Sequence, residues 1–115
     1  MHKPVLLKEI IEGLELKPGM TVLDGTLGGG GHSLEICKII GKEGTLIGLD
    51  QDAAAIKRNS GKFSGICKEI LKEVNFRNLG VVLSDLGISK IDAALFDLGL
   101  SSFQLEDSGR GFSFQ

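Results

Sequence analysis

No stretch of this sequence approaches the ~18 consecutive apolar residues that a membrane-spanning helix requires. An export signal is missing as well: Val5-Leu6-Leu7 is flanked by Lys3-Pro4 and Lys8-Glu9, which leaves no uninterrupted apolar core. The chain is therefore expected to be cytoplasmic, without a membrane partner. There is no basic excess either, since 13 Lys and Arg stand against 15 Asp and Glu for a net charge of −2. Composition alone shows no nucleic-acid footprint. Cysteine is sparse, and Cys37 and Cys67 belong to no CxxC motif or Cys/His cluster, so a cysteine-based metal site is excluded. In a reducing compartment both are expected to be free thiols buried on helices.

Glycine is abundant, with 17 in 115 residues, roughly twice the usual ~7% share. It shows no collagen-like period, and the length suits one domain or part of one. Leu6, Leu7, Ile10, Ile11 and Leu14 recur at helical spacing and predict an amphipathic helix over residues 5–14. After Lys17-Pro18-Gly19, the run Met20-Thr21-Val22-Leu23-Asp24 reads as a buried strand feeding a glycine loop. Residues 33–40 carry a helical stripe that stops at Gly41, a helix C-terminal signal. Residues 45–50 form a second apolar strand ending in Asp50, and Asp52 suits the N-cap of a helix over Ala53–Asn59.

Phe63, Ile66, Ile70 and Val74 fit helical spacing, so residues 62–75 are predicted as helix. A short helix is expected over residues 81–86, and residues 91–97 read as a third strand, again ending in an acid. The tail from Gly99 is predicted as a Ser- and Gly-rich loop. The β-α-β-α alternation implies an α/β fold with a parallel sheet.

Three strands ending in Asp24, Asp50 and Asp97 put three carboxylates on the edge where open α/β sheets bind ligands. Between the first two acids lies Gly25-Thr26-Leu27-Gly28-Gly29-Gly30-Gly31-His32, a loop that lets the backbone approach a ligand closely. Asp50 stands 20 residues beyond Gly30, a spacing that places an acid on a ribose diol. No frame of this loop reads G-x-G-x-x-G, and no lysine completes a Walker motif, so a pyrophosphate ligand is disfavoured. An acid after each of two strands around a lysine-free glycine loop suits S-adenosylmethionine.

Several segments together resemble the ribosomal RNA small-subunit methyltransferase H family. They are His2-Lys3-Pro4-Val5-Leu6-Leu7, the loop from Asp24 to Ser33, Asp50-Gln51-Asp52, Asn75-Phe76, the run from Asp97 to Leu105 (DLGLSSFQL), and Arg110-Gly111-Phe112-Ser113-Phe114. The resemblance runs from end to end and implies a Rossmann-like, S-adenosylmethionine-dependent methyltransferase fold. It further implies methyl transfer to N4 of a cytidine in 16S rRNA of the small ribosomal subunit. Carried over residue by residue, it implies cofactor contacts at Gly30, Gly31, His32, Asp50, Phe76, Asp97 and Gln104. Two positions depart from the family pattern: Gly29, where arginine is frequent, and Phe103, where proline is usual. The resemblance also implies that further strands and an inserted helical domain follow, so that the chain is the N-terminal portion of a longer domain.

The N4 amine of cytosine is a poor nucleophile, and a hydrogen-bond acceptor on its N–H would raise its electron density. Asp97 is the candidate for that catalytic role. Neither Cys37 nor Cys67 sits in the expected site, which argues against a C5 route through covalent addition. Phe112 and Phe114 are candidate stacking platforms for an unstacked base. Two alternatives stay open: a cofactor-binding piece without turnover, and a nicotinamide-dependent oxidoreductase, since the βαβ unit and Asp50 fit both cofactors. A sheet cut short after residues 91–97 is also expected to leave that strand as an exposed apolar edge, making the chain marginally stable or self-associating.

Overall fold

A computed structural model describes residues 4–25, 27–28, 30–96 and 102–104. Helix α1 (Pro4–Gly13) opens the chain, with proline in its first turn, where a missing N–H costs no hydrogen bond. Four strands follow, β1 (Thr21–Asp24), β2 (Thr45–Asp50), β3 (Lys68–Glu73) and β4 (Ala93–Leu95), connected by α2 (Gly31–Ile40), α3 (Ala53–Asn59) and α4 (Leu79–Asp85). A short β5 (Ser102–Gln104) follows, and among the described residues the sheet order is β3-β2-β1-β4-β5. The first four strands are mutually parallel and β5 is antiparallel to β4.

The inner residues of β1 and β2, Val22-Leu23 and Leu46-Ile47-Gly48-Leu49, carry no polar side chain because both sheet faces are covered. Alternate residues point to opposite faces. Val22, Leu46, Ala93 and Leu95 pack with Ile36, Cys37 and Ile40 of α2, with Ile56 of α3, and with Ile11 of α1. Leu23, Ile47, Leu49 and Ala94 pack instead with Leu79 and Leu83 of α4. From β1 the chain moves outward to β2 and β3, then returns across β1 to β4. Crossovers of a single hand then put α2 and α3 on one face and α4 on the other. The reversal falls between β1 and β4, and the carboxyl ends of those strands form the switch point at which open sheets bind ligands.

Four sequence expectations are corrected. Residues 62–75 are not a helix: residues 68–73 form β3, in register with β2 from Thr45↔Lys68 to Asp50↔Glu73. Being at the sheet edge, β3 exposes Lys68, Lys72 and Glu73, and its two inner apolar residues divide between the faces, Leu71 towards α2 and Ile70 towards α4. That leaves no apolar run and no clean alternation, while Phe63 and Ile66, which completed the helical spacing, lie in the preceding turn. The tail contributes a strand, β5, which pairs with β4 through Ala93↔Gln104 and Leu95↔Ser102. The 91–97 segment is therefore not an exposed edge. Finally, Cys37 and Cys67 are not free thiols but a disulfide, with Cα atoms 5.5 Å apart. Cys67 lies just before β3 and not on a helix. Among the described residues, no helix is long and apolar enough to cross a membrane.

Candidate functional site

The carboxyl ends of β1, β2 and β4 are tied together by the loop that follows β1. Gly25 N–H donates to Leu95 O at the end of β4 (2.7 Å), and Leu27 N–H donates to Leu49 O in β2 (2.9 Å). The loop thus lies across the top of three strands and enters α2 directly. Gly30 is the N-cap of that helix, in a left-handed conformation with φ +85°, and no side chain caps it. The first-turn N–H groups of α2 lack the intrahelical partners that later residues have, and the helix dipole makes that end attractive to an anion.

Residue 30 has two separate reasons to be glycine. A side chain strains a left-handed backbone, and a Cβ there would collide with the Asn59 carboxamide oxygen. Gly30→Ala is therefore expected to cost about 2 kcal/mol of stability, read as a lower midpoint in chemical denaturation. A midpoint equal to that of the parent chain would contradict this packing.

Asp24 and Asp50 do different work. Asp24 is buried and accepts a hydrogen bond from Ser33 Oγ at 2.6 Å, which anchors the first turn of α2 to the end of β1. Asp50 is half-buried at the end of β2: its Oδ2 accepts the Gly28 N–H and its Oδ1 the Asp52 N–H, both at 2.9 Å. A carboxylate offers about four lone-pair directions, so two hydrogen bonds leave acceptor capacity for a pair of hydroxyls. Asp52 in turn caps α3 by accepting from Ala54 N–H at 2.9 Å, as its position in the sequence predicts.

Of the residues predicted for the site, Gly30, Gly31 and His32 are brought together in consecutive positions at the N-terminal end of α2. Asp50 joins them through Gly28. Val74 N–H donates to Asp50 O (2.9 Å), which keeps the chain leaving β3 beside Asp50, and the backbone of Phe76 begins a 3-10 turn, Phe76–Asn78, two residues further on. Gln104 is not gathered in the same way. It lies opposite Ala93, which pairs with Val22, so it stands two positions back from the strand ends that carry Asp24 and Leu95. Asp97, Phe112 and Phe114 lie outside the described residues.

Sequence reasoning missed Ser33, Arg58 and Asn59. The Ser33 signal is local, a serine in the first turn of a helix that follows a strand-end acid. Arg58 and Asn59 carry no such signal, because they reach Gly28 from 30 and 31 residues away. Among the described residues, no group of three or more His, Cys, Asp or Glu is placed to hold a metal ion.

The strand order, the glycine loop entering a helix after β1 and the acid ending β2 define a Rossmann-like α/β domain of the methyltransferase type. Two solved structures share that fold. A SAM-dependent O-methyltransferase from Thermotoga maritima matches with a TM-score of 0.63 at 18% identity, over 84% of this chain and 35% of its own. A protein described as a putative rRNA-methylase from Clostridium thermocellum matches with a TM-score of 0.62 at 22% identity, over 84% of this chain and 54% of its own.

The particular family follows from the sequence: the chain belongs to the MraW methylase family, whose pattern it matches over residues 1–115. Similar curated proteins include the ribosomal RNA small subunit methyltransferase H of Dictyoglomus thermophilum, 50% identical over 99% of this chain. That of Acetivibrio thermocellus is 49% identical over 98% of it. The chain spans 39% and 37% of the length of these two relatives.

Proposed function

We propose that this chain is the cofactor-binding portion of an S-adenosylmethionine-dependent methyltransferase that modifies N4 of a cytidine in 16S rRNA of the small ribosomal subunit. The observation that carries the reading is the meeting of three groups at one sheet edge: Gly28 and Gly30 of the glycine loop, the N-terminal end of α2, and Asp50, within a chain of this family. The names of the curated relatives, both small-subunit rRNA methyltransferases, support the substrate class.

The residues present fit such a cofactor. Asp50 keeps acceptor capacity for the two ribose hydroxyls while its existing bonds fix its orientation. The exposed Gly31 and the first-turn N–H groups of α2 suit the carboxylate of the amino-acid end, and no lysine cradle for a pyrophosphate accompanies them. Phe76, two residues beyond the Val74 whose N–H bonds Asp50 O, is assigned to the adenine side, and His32, Asp97 and Gln104 complete the proposed contacts. Bound there, S-adenosylmethionine supplies an electrophilic methyl group that leaves its sulfonium as a thioether.

The protein's task is then mainly positioning. The acceptor nitrogen has to stand about 3–3.5 Å from the methyl carbon, in line with the breaking bond. Asp97, two residues beyond the end of β4 in the sequence, is assigned to accept a hydrogen bond from the N4 amine and to take its proton as the new N–C bond forms. An unpaired or flipped-out cytidine gives that geometry access.

Because the chain covers about two fifths of its relatives, cofactor binding and methyl transfer are separable. Titration calorimetry with S-adenosylmethionine, S-adenosylhomocysteine and NAD tests the first: heats with the two adenosyl compounds and none with NAD are expected. Binding of NAD alone would sink the reading in favour of an oxidoreductase. Incubation with methyl-labelled cofactor and unmodified small subunits tests the second. Label in the RNA marks the chain as a competent enzyme, and binding without label marks it as a cofactor-binding piece.

A further inference from the structure

We infer that Arg58 and Asn59, at the end of α3, are positioning residues that set the cofactor loop and thereby the affinity of the site. The inference rests on the cofactor reading above. Gly28 is held from both sides of its backbone. Its N–H donates to Asp50 Oδ2, while its carbonyl accepts from Arg58 Nη2 at 3.0 Å and from Asn59 Nδ2 at 2.9 Å. Asn59 is fully buried, and the same Nδ2 also donates to Ala55 O at 2.8 Å, which fixes its amide orientation.

With Nδ2 committed, the Asn59 Oδ1 is left facing Gly30, and it has no hydrogen-bond partner among the described residues. Buried polar atoms are nearly always paired. Two carbonyls hold the amide this way round, Ala55 O within α3 and Gly28 O in the loop, so the side chain couples the helix to the loop. The end of α3 therefore presses on Gly30 and pulls on Gly28. Those residues flank the entry to α2, and the Asp50 that completes the clamp is the proposed ribose acid. A loop already fixed in its binding conformation loses less freedom when ligand arrives, and affinity rises accordingly.

Arg58 gives a clean test because its side chain is exposed, so its removal opens no cavity. Lys57, exposed in the same helical turn and of the same charge, is the control. Arg58→Ala is expected to weaken S-adenosylhomocysteine binding about five- to tenfold in calorimetry with a thermal midpoint within about 2 °C of the parent chain. Arg58→Lys, which returns a single donor, should recover part of the loss. Lys57→Ala should change neither quantity. Asn59→Asp, which turns an acceptor towards two carbonyl oxygens, should weaken binding further at a temperature where the variant is folded.

Amide hydrogen exchange reads the loop without ligand, and exchange at Gly28 and Gly30 should quicken by about tenfold in Arg58→Ala but not in Lys57→Ala. Affinity and exchange that are the same in Arg58→Ala and Lys57→Ala would overturn the inference. Failure of the parent chain to bind either adenosyl compound would overturn the cofactor reading and the claim about affinity. The exchange comparison would then still decide whether the clamp exists.

Discussion

Asp50→Ala is expected to weaken S-adenosylhomocysteine binding by about 100-fold. The carboxylate would contribute two charge-assisted hydrogen bonds to the ribose, each worth about 1.5–3 kcal/mol when its partner is lost, part of which water restores. It also holds the Gly28 N–H, so its removal frees the loop at the same time. Asp50→Asn should fall between, because one side-chain oxygen remains while the new amide nitrogen faces a backbone N–H. Calorimetry gives the affinities, and a thermal melt of each variant separates loss of binding from loss of fold. Unchanged affinity in the alanine variant would show that the ribose lies elsewhere and would remove the main support for the site.

The second large effect concerns stability. Reduction of the Cys37–Cys67 disulfide, or Cys37→Ser with Cys67→Ser, is expected to cost about 3 kcal/mol. The bond closes a loop with a sequence separation of 30, and loops of that size restrict the unfolded chain by roughly 3–4 kcal/mol. For a domain of this size, that corresponds to a midpoint lower by about 10–20 °C. The bond ties α2 to the start of β3 across the intervening β2 and α3, so the edge strand should lose protection first when it is cut. Parallel melts with and without reductant measure this, and coincident curves would show that two packed thiols hold the fold equally well.

The two effects act on different parts of the molecule. The disulfide lies within the core beneath α2, among Ile36, Phe63 and Leu46, whereas Asp50 sits at the strand ends above it. A reduced chain that remains folded should therefore bind the adenosyl ligand with the affinity of the oxidised one. The same calorimetric titration in reductant checks it.

Much of this arrangement is legible in the order of residues. Strands β1 and β2 announce themselves because the inner residues of strands buried on both faces must be apolar, and each ends at an acid. The Asp52 cap, the Gly41 stop and the glycine loop are likewise local, since each follows from what one or two residues do to their own backbone. Asp50 is marked by its place at a strand end and its spacing from Gly30, and the structure ties it to the loop through Gly28. The resemblance to a methyltransferase family rested on short runs of this kind, and the family match bears it out.

What the tertiary structure alone decided depends on contacts between distant residues. β3 is an edge strand whose charged residues and divided apolar pair mask its period, and only pairing with β2 makes it a strand. β5 is three residues long and exists through β4, which it removes from the sheet edge. The disulfide requires α2 and β3 to be neighbours, and nothing in the flanking residues of Cys37 or Cys67 reports that. The clamp on Gly28 is of the same kind: Arg58 and Asn59 look like the end of an ordinary helix until the crossover brings them over the loop. Sequence determines what each segment prefers, but only packing decides which distant groups meet.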